Sequence, residues 1–279
     1  MKNIKIVTDS SCDLNKDIID RYNIEIVPLN VAFGDDIYVD GEIEKPEFYK
    51  MMDESPTLPK TSCPSPEKFM NSYEGEEDNI IVITLASKLS GTYSTAVLAK
   101  NLFEEKYPNK NVAVIDTETG SIGQGLLVTK AAQLAQDGKS FEEIVKTIES
   151  IKSNVVLYGA LDTLENAIKG GRVNPLAGKL INALNFKVII KVANGEVKPC
   201  DKARGDNNSM KKVVENVLNS IEGKEVKSLA IAHANCSDKA LKVKEMMLKN
   251  NEFEDITISD IGSAMGTYTS KGAILISVL

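Results

Sequence analysis

Histidine is nearly absent from this 279-residue sequence, with His233 the single example. Any serine or cysteine hydrolase mechanism with a histidine base must therefore use it. No G-x-S-x-G elbow accompanies it. Cys12, Cys63, Cys200 and Cys236 stand far apart without a C-x-x-C pair, which suggests neither a zinc site nor a disulfide framework. Scattered carboxylates and one histidine give metal binding little support. No apolar run approaches the about 18 residues of a membrane span, and the N-terminal run is too short for a signal h-region. The glycine-rich Gly120-Ser121-Ile122-Gly123-Gln124-Gly125 lacks the order of the G-x-G-x-x-G fingerprint, and no Walker A sequence occurs. A net charge of -7 argues against general affinity for nucleic acid or anionic membrane. A cytoplasmic location is expected.

The sequence is 42% hydrophobic and 26% charged, enough for a sizeable core in one large unit or two smaller ones. Apolar runs of four to six residues alternate with longer amphipathic stretches, the pattern of an α/β fold. Strands are expected at 4–7, 25–29, 80–85, 112–115, 155–158, 188–192, 229–232 and 256–259. Helices are expected at 14–22, 46–53, 66–73, 92–107, 122–137, 141–153, 162–169, 209–221 and 238–250, with Lys169-Gly170-Gly171 as a stop. Asn194-Gly195 between two β-type runs signals a hairpin, which makes the later sheet partly antiparallel. A boundary near residue 160 divides the chain into expected units 1–160 and 161–279. Residues 161–212 carry a net +5, with Arg172 and Arg204 among them, against -12 for the remainder. That stretch reads either as a solvated face or as a dock for an acidic partner.

In open α/β sheets ligands gather beyond the carboxyl ends of the strands. Thr8-Asp9-Ser10-Ser11, Ser87-Lys88-Leu89-Ser90-Gly91-Thr92 and Asp116-Thr117-Glu118-Thr119 fall there. Each is either a helix cap or part of a shared site. Ser90-Gly91-Thr92 precedes a long helix, whose positive end suits a carboxylate or phosphate. Thr61-Ser62-Cys63-Pro64-Ser65-Pro66 reads as a proline-stiffened loop displaying three more hydroxyls, with an ST-turn and cap as the plain alternative. Cys63 itself reads as a small loop residue, and His233 as a hydrogen-bonded strand-end residue more than a base.

These residues resemble the DegV family of bacterial fatty-acid-binding proteins, over essentially the whole chain. The resemblance rests on Thr8-Asp9-Ser10, Thr61-Ser62-x-Pro64-Ser65, Ser90-Gly91-Thr92-Tyr93, Asp116-Thr117, Lys169-Gly170-Gly171-Arg172 and Gly262-x-x-x-Gly266-Thr267. It implies a two-domain α/β fold, with a mainly parallel first sheet and a mixed second sheet containing the hairpin. It also implies a long-chain fatty acid in a buried tunnel, held by Thr61 and Ser90 with Ser62, Thr92 and Tyr268 beside them. In the family's kinase systems a separate subunit phosphorylates the bound acid, so a carrier without catalytic residues or cofactor is expected, docking through Arg172 and Arg204. A monomer suffices for that role. Two patterns differ from the family. Tyr268 stands where a histidine is usual, so an uncharged phenol replaces a titratable ring and Lys271 becomes a candidate for the missing charge. Cys63 stands where glutamine is common.

Sequestering about fifteen methylenes gains on the order of 12 kcal/mol before ordering costs, so the chain supplies affinity and the hydroxyls supply orientation. Two other classes remain at this stage. One is a hydrolase or phosphotransferase using Ser90, Asp9 and His233. The other is an interaction protein using only the Arg172/Arg204 surface.

Overall fold

The computed structural model describes residues 4–178, 186–249 and 251–279. The first half runs β1 (Ile4–Asp9), α1 (Lys16–Tyr22), β2 (Glu25–Val27), β3 (Asn30–Phe33), β4 (Asp36–Val39), α2 (Lys45–Glu54), β5 (Lys60–Ser62), α3 (Pro66–Tyr73) and β6 (Asn79–Thr84). It continues with α4 (Thr92–Lys106), β7 (Asn111–Asp116), α5 (Ser121–Gln136) and α6 (Phe141–Ile151). The second half runs β8 (Val156–Leu161), α7 (Glu165–Lys169), α8 (Pro175–Gly178), β9 (Phe186–Ala193), β10 (Glu196–Arg204), α9 (Asp206–Ile221) and β11 (Ser228–His233). It closes with α10 (Ser237–Leu248), β12 (Asp255–Asp260), α11 (Ser263–Thr269) and β13 (Ile274–Val278).

The architecture is mixed α/β, as expected. β2-β1-β6-β7 form a parallel sheet. β6 is buried from Ile80 to Thr84, the continuous apolar run that a strand covered on both faces requires. The strand order reverses between β1 and β6, which opens a crevice beyond Asp9 and Leu85. The second sheet, β10-β9-β8-β13-β11-β12, is antiparallel except for the β11–β12 pair. Asn194 and Gly195 turn the expected hairpin with φ of 53° and 73°.

The six-stranded sheet has two unlike faces. Tyr158, Ile189, Ile231 and Ile276 pack beneath Val213 and Val217 of α9 and Val243 of α10. Leu157, Leu161, Ile190 and Leu275 face the first half, sharing a core with Leu29, Val31, Phe48 and Ile122. The hairpin crosses to the first half, where the Gly195 N–H donates to the Glu118 carbonyl at 2.7 Å.

Several expectations need correction. The strand expected at 25–29 ends at Val27, because Pro28 has no N–H to continue the ladder. β3, β4 and β5 form a small antiparallel sheet that the sequence pattern did not reveal, each strand having only three or four residues. The segment read as a loop around Thr61 therefore begins as a strand, with Thr61 opposite Val31. α11 and β13 also went unread, since small and β-branched residues fill the first and the second is a five-residue apolar run. β8, which spans the position of the expected boundary near 160, pairs with β9 and β13 of the six-stranded sheet. The helix expected to end at Asn250 is seen to Leu248, and Asn250 lies outside the described residues. No helix among the described residues is long and apolar enough to cross a membrane.

Candidate functional site

Between the second sheet and the first half lies a cavity enclosing about 760 Å³ of empty space, its mouth included. Its floor is the inner face of the sheet: Leu157 and Leu161 of β8, Ile190 and Val192 of β9, Val197 of β10 and Leu275 of β13. Gly159 occupies the middle of that floor. A Cβ there would lie 2.4 Å from the Leu275 side chain and 3.1 Å from Ile190 and Leu161. The missing side chain is what lets three large neighbours share the space. Leu29, Leu85, Leu89 and Gly120 wall the first-half side, and Ala264, Met265, Tyr268 and Thr269 of α11 complete the enclosure.

Polar groups collect at one part of this apolar lining. The Thr61 hydroxyl shares a 2.6 Å hydrogen bond with the Tyr268 phenol. Ser90 lies ahead of α4, where its Oγ accepts from the Thr92 N–H at 3.3 Å and shares a 2.8 Å bond with the Thr92 hydroxyl. Arg172 joins them, its guanidinium carbon 4.6 Å above the Tyr268 ring. Its Nε donates to the Leu89 carbonyl at 3.2 Å and its Nη1 to the Gly170 carbonyl at 2.6 Å. These two bonds use two of the five N–H groups of the guanidinium, and among the described residues the other three have no hydrogen-bond partner.

Local sequence explains how Arg172 arrives there. After α7, Gly171 adopts φ of 77°, and the Arg172 N–H reaches back to the Ala167 carbonyl at 2.8 Å. This glycine turn ends the helix and sends the next residue across it. Gly170 matters differently, because a Cβ there would sit 2.3 Å from the Tyr268 ring. Arg172 and Tyr268 can stack only over a bare backbone.

The expected site residues separate as follows. Thr61, Ser90 and Tyr268 line one cavity. Ser62, the next residue along β5, points to the opposite side, is exposed and accepts from Asn30 Nδ2 at 3.3 Å. Strand alternation makes it impossible for both to face inward. Thr92 is fully buried and supports Ser90 without lining the cavity. Arg204 is exposed at the end of β10, whereas Arg172 lies at the cavity. Lys271 is exposed and does not line it. The positive charge at the polar end therefore comes from Arg172, which sequence reasoning had set on a docking face.

The residues of the hydrolase alternative are not brought together. Asp9 is buried, and its carboxylate accepts from the Leu85 and Ser11 N–H groups, the Ser11 hydroxyl and Gln124. Its burial raises its pKa despite those bonds. His233 lines a separate surface depression with Asp260, its Nδ1 3.2 Å from that carboxylate. Ser90 alone faces the cavity. Cys236, beside His233, has its thiol pushed up to about 11 by burial, away from thiolate chemistry. Cys63 lies beside the Thr95 hydroxyl at 3.7 Å. Among the described residues no cluster of histidine, cysteine and carboxylates forms a metal site.

A carboxyl pair lies behind α11, unmarked by any sequence motif. Asp13 is buried with φ of 51°, and accepts from the Ser121 hydroxyl and from the Gly262 N–H at 2.7 Å. Asp40 accepts from the Ser10 hydroxyl at 2.7 Å and the Ala264 N–H at 3.2 Å.

Comparison with known proteins agrees with this geometry. The DegV family model matches residues 3–279. A DegV domain-containing protein of Clostridium acetobutylicum is 35% identical over 281 residues, covering 98% of this chain and 97% of its own. A DegV family protein of Ruminococcus gnavus, solved with vaccenic acid, is 31% identical with a TM-score of 0.92, covering 99% of this chain and all of its own. The fatty acid kinase B3 protein of Streptococcus pneumoniae, loaded with linoleic acid, is 26% identical with a TM-score of 0.89, covering 99% of this chain and 98% of its own.

Proposed function

The chain belongs to the DegV family, and on that premise we propose that it binds a long-chain fatty acid in the cavity and presents the carboxylate to a separate kinase subunit. One observation carries the reading: an apolar cavity on whose wall four polar side chains, Thr61, Ser90, Tyr268 and Arg172, gather at one part. The acyl chain would lie over Leu157, Ile190 and Leu275, gaining about 0.8 kcal/mol for each buried methylene. Thr61, Ser90 and Tyr268 would donate to the carboxylate, and Arg172 would supply a fixed charge where the family's histidine is replaced. An arginine fork stacked on an aromatic ring suits carboxylate recognition because little side-chain freedom remains to be lost.

Solved relatives described as loaded with linoleic or vaccenic acid support the ligand class. Gently purified protein is expected to carry a long-chain fatty acid, seen by native mass spectrometry as an added mass that denaturing extraction removes. Protein that remains ligand-free after incubation with a long-chain acid would overturn the reading.

The kinase B3 relative, loaded with linoleic acid, supports the carrier role, and on this reading the chain works in the cytoplasm without a catalytic residue or cofactor of its own. Arg204, exposed beyond the hairpin, is a candidate contact for the kinase subunit. Arg204→Glu is expected to leave fatty-acid occupancy unchanged while lowering acyl-phosphate formation with that subunit by about tenfold, one lost charge contact at a rim. Equal phosphorylation of the variant and parent would remove Arg204 from the dock.

A further inference from the structure

Building on the fatty-acid reading above, we propose that Asp13 and Asp40 are positioning residues that form a proton-keyed latch on α11, closed while Asp13 carries a proton and loosened when it ionises. The seven residues of α11 are too few to hold a helix unaided. Its first turn is instead held by two carboxyl groups from the other half of the molecule, Asp13 on the Gly262 N–H and Asp40 on the Ala264 N–H. Gly262 lies between them: a Cβ there would sit 3.1 Å from one carboxyl and 3.3 Å from the other. The same helix places Met265, Tyr268 and Thr269 on the cavity wall. Asp13 also takes the hydroxyl of Ser121, a lining residue at the start of α5. One buried carboxyl thus joins two walls of the ligand site.

A single negative charge complements the positive end of a helix, but a second must be buried beside the first. Burial pushes the Asp13 carboxyl up to about 7, with the Asp40 charge adding to the rise, while the bonds from Ser121 and Gly262 and the charge of Lys45 oppose it. The other titratable groups nearby are Asp9 and Cys12 on its own segment, Tyr49 of α2, and Asp260 just ahead of Gly262. When α11 lifts, water reaches Asp13 and its pKa returns toward 3.8, so proton loss favours the lifted state. The latch is tightest below 3.8, weakens as pH rises to about 7, and changes no further above that.

The test is the dissociation rate of cis-parinaric acid from the full chain, followed by fluorescence on displacement with excess oleate between about pH 4.5 and about pH 8.5. The parent's rate is expected to climb about tenfold or more and level off near neutrality. Asp13→Asn mimics the protonated acid, its Oδ1 accepting from the Gly262 N–H and its Nδ2 donating to the Ser121 hydroxyl oxygen, and it tolerates positive φ, so its rate should stay at the parent's slow, acidic value throughout. Asp40→Asn should reach its plateau at a lower pH, because the charge that raises Asp13 is gone. A purely structural role would move the rate at all pH values alike. Saturable binding with a pH-independent rate in the parent, or the same pH slope persisting in Asp13→Asn, would overturn the latch and leave the binding reading intact. Absence of saturable binding in the parent and Asp13→Asn at every pH would overturn both.

Discussion

Arg172→Glu is expected to lower fatty-acid affinity by about a hundredfold or more, the largest effect of any single change at the polar end. Two losses combine in it. Removing a charged hydrogen-bond donor from a partly desolvated site costs about 1.5–3 kcal/mol, and a carboxylate placed opposite the ligand's carboxylate adds repulsion. The carbonyls of Leu89 and Gly170 also lose their donors. Arg172→Lys separates these contributions, since it keeps the charge while giving up the fork and the stack over Tyr268. Titration with a fluorescent fatty acid should therefore rank parent, lysine variant and glutamate variant in that order. Equal affinities would show that the guanidinium never meets the carboxylate.

Gly159→Val is expected to abolish retention of a long acyl chain while costing about 1–3 kcal/mol of stability by overpacking. The residue lies on β8 between Ile190 and Leu275, its neighbours on the adjoining strands. A branched side chain there has to displace the Leu275 side chain, which already lies 2.4 Å from the position of a Cβ, and it has to enter the cavity floor. The polar end is untouched, so a short-chain acid should be affected far less than a long one. Competition assays with acids of graded length, alongside chemical denaturation, check both halves. Unchanged long-chain retention in a folded variant would place the acyl chain elsewhere.

The particular residues show where the sequence was informative. Period and turn chemistry suffice for β6, α4 and the Asn194-Gly195 hairpin, because each rests on local rules. Thr61 and Ser62 both offer hydroxyls in a proline-stiffened segment, and only the pairing of Thr61 with Val31 separates inward from outward. Arg172 was grouped with Arg204 by charge. Its actual position follows from the glycine turn after α7, and the Lys169-Gly170-Gly171 stop contained that signal without giving a direction. Gly159 stands beside the expected boundary near 160, and in a strand interior a glycine equally marks close packing. Asp13 and Asp40 were beyond reach, since two carboxyl groups become neighbours only when Gly262, more than two hundred residues later than either, is inserted between them.

β13 lies in the middle of the six-stranded sheet, between β8 and β11, although it follows every other described strand in the chain. A ribosome-bound chain still lacking Ile274–Val278 would have a gap at the centre of the sheet, with the edges of β8 and β11 unpaired and without Leu275 in the floor. On the fatty-acid reading, ligand capture therefore has to follow synthesis of β13, and a nascent chain stalled before this strand offers exposed edges to chaperones and aggregation instead of a binding site.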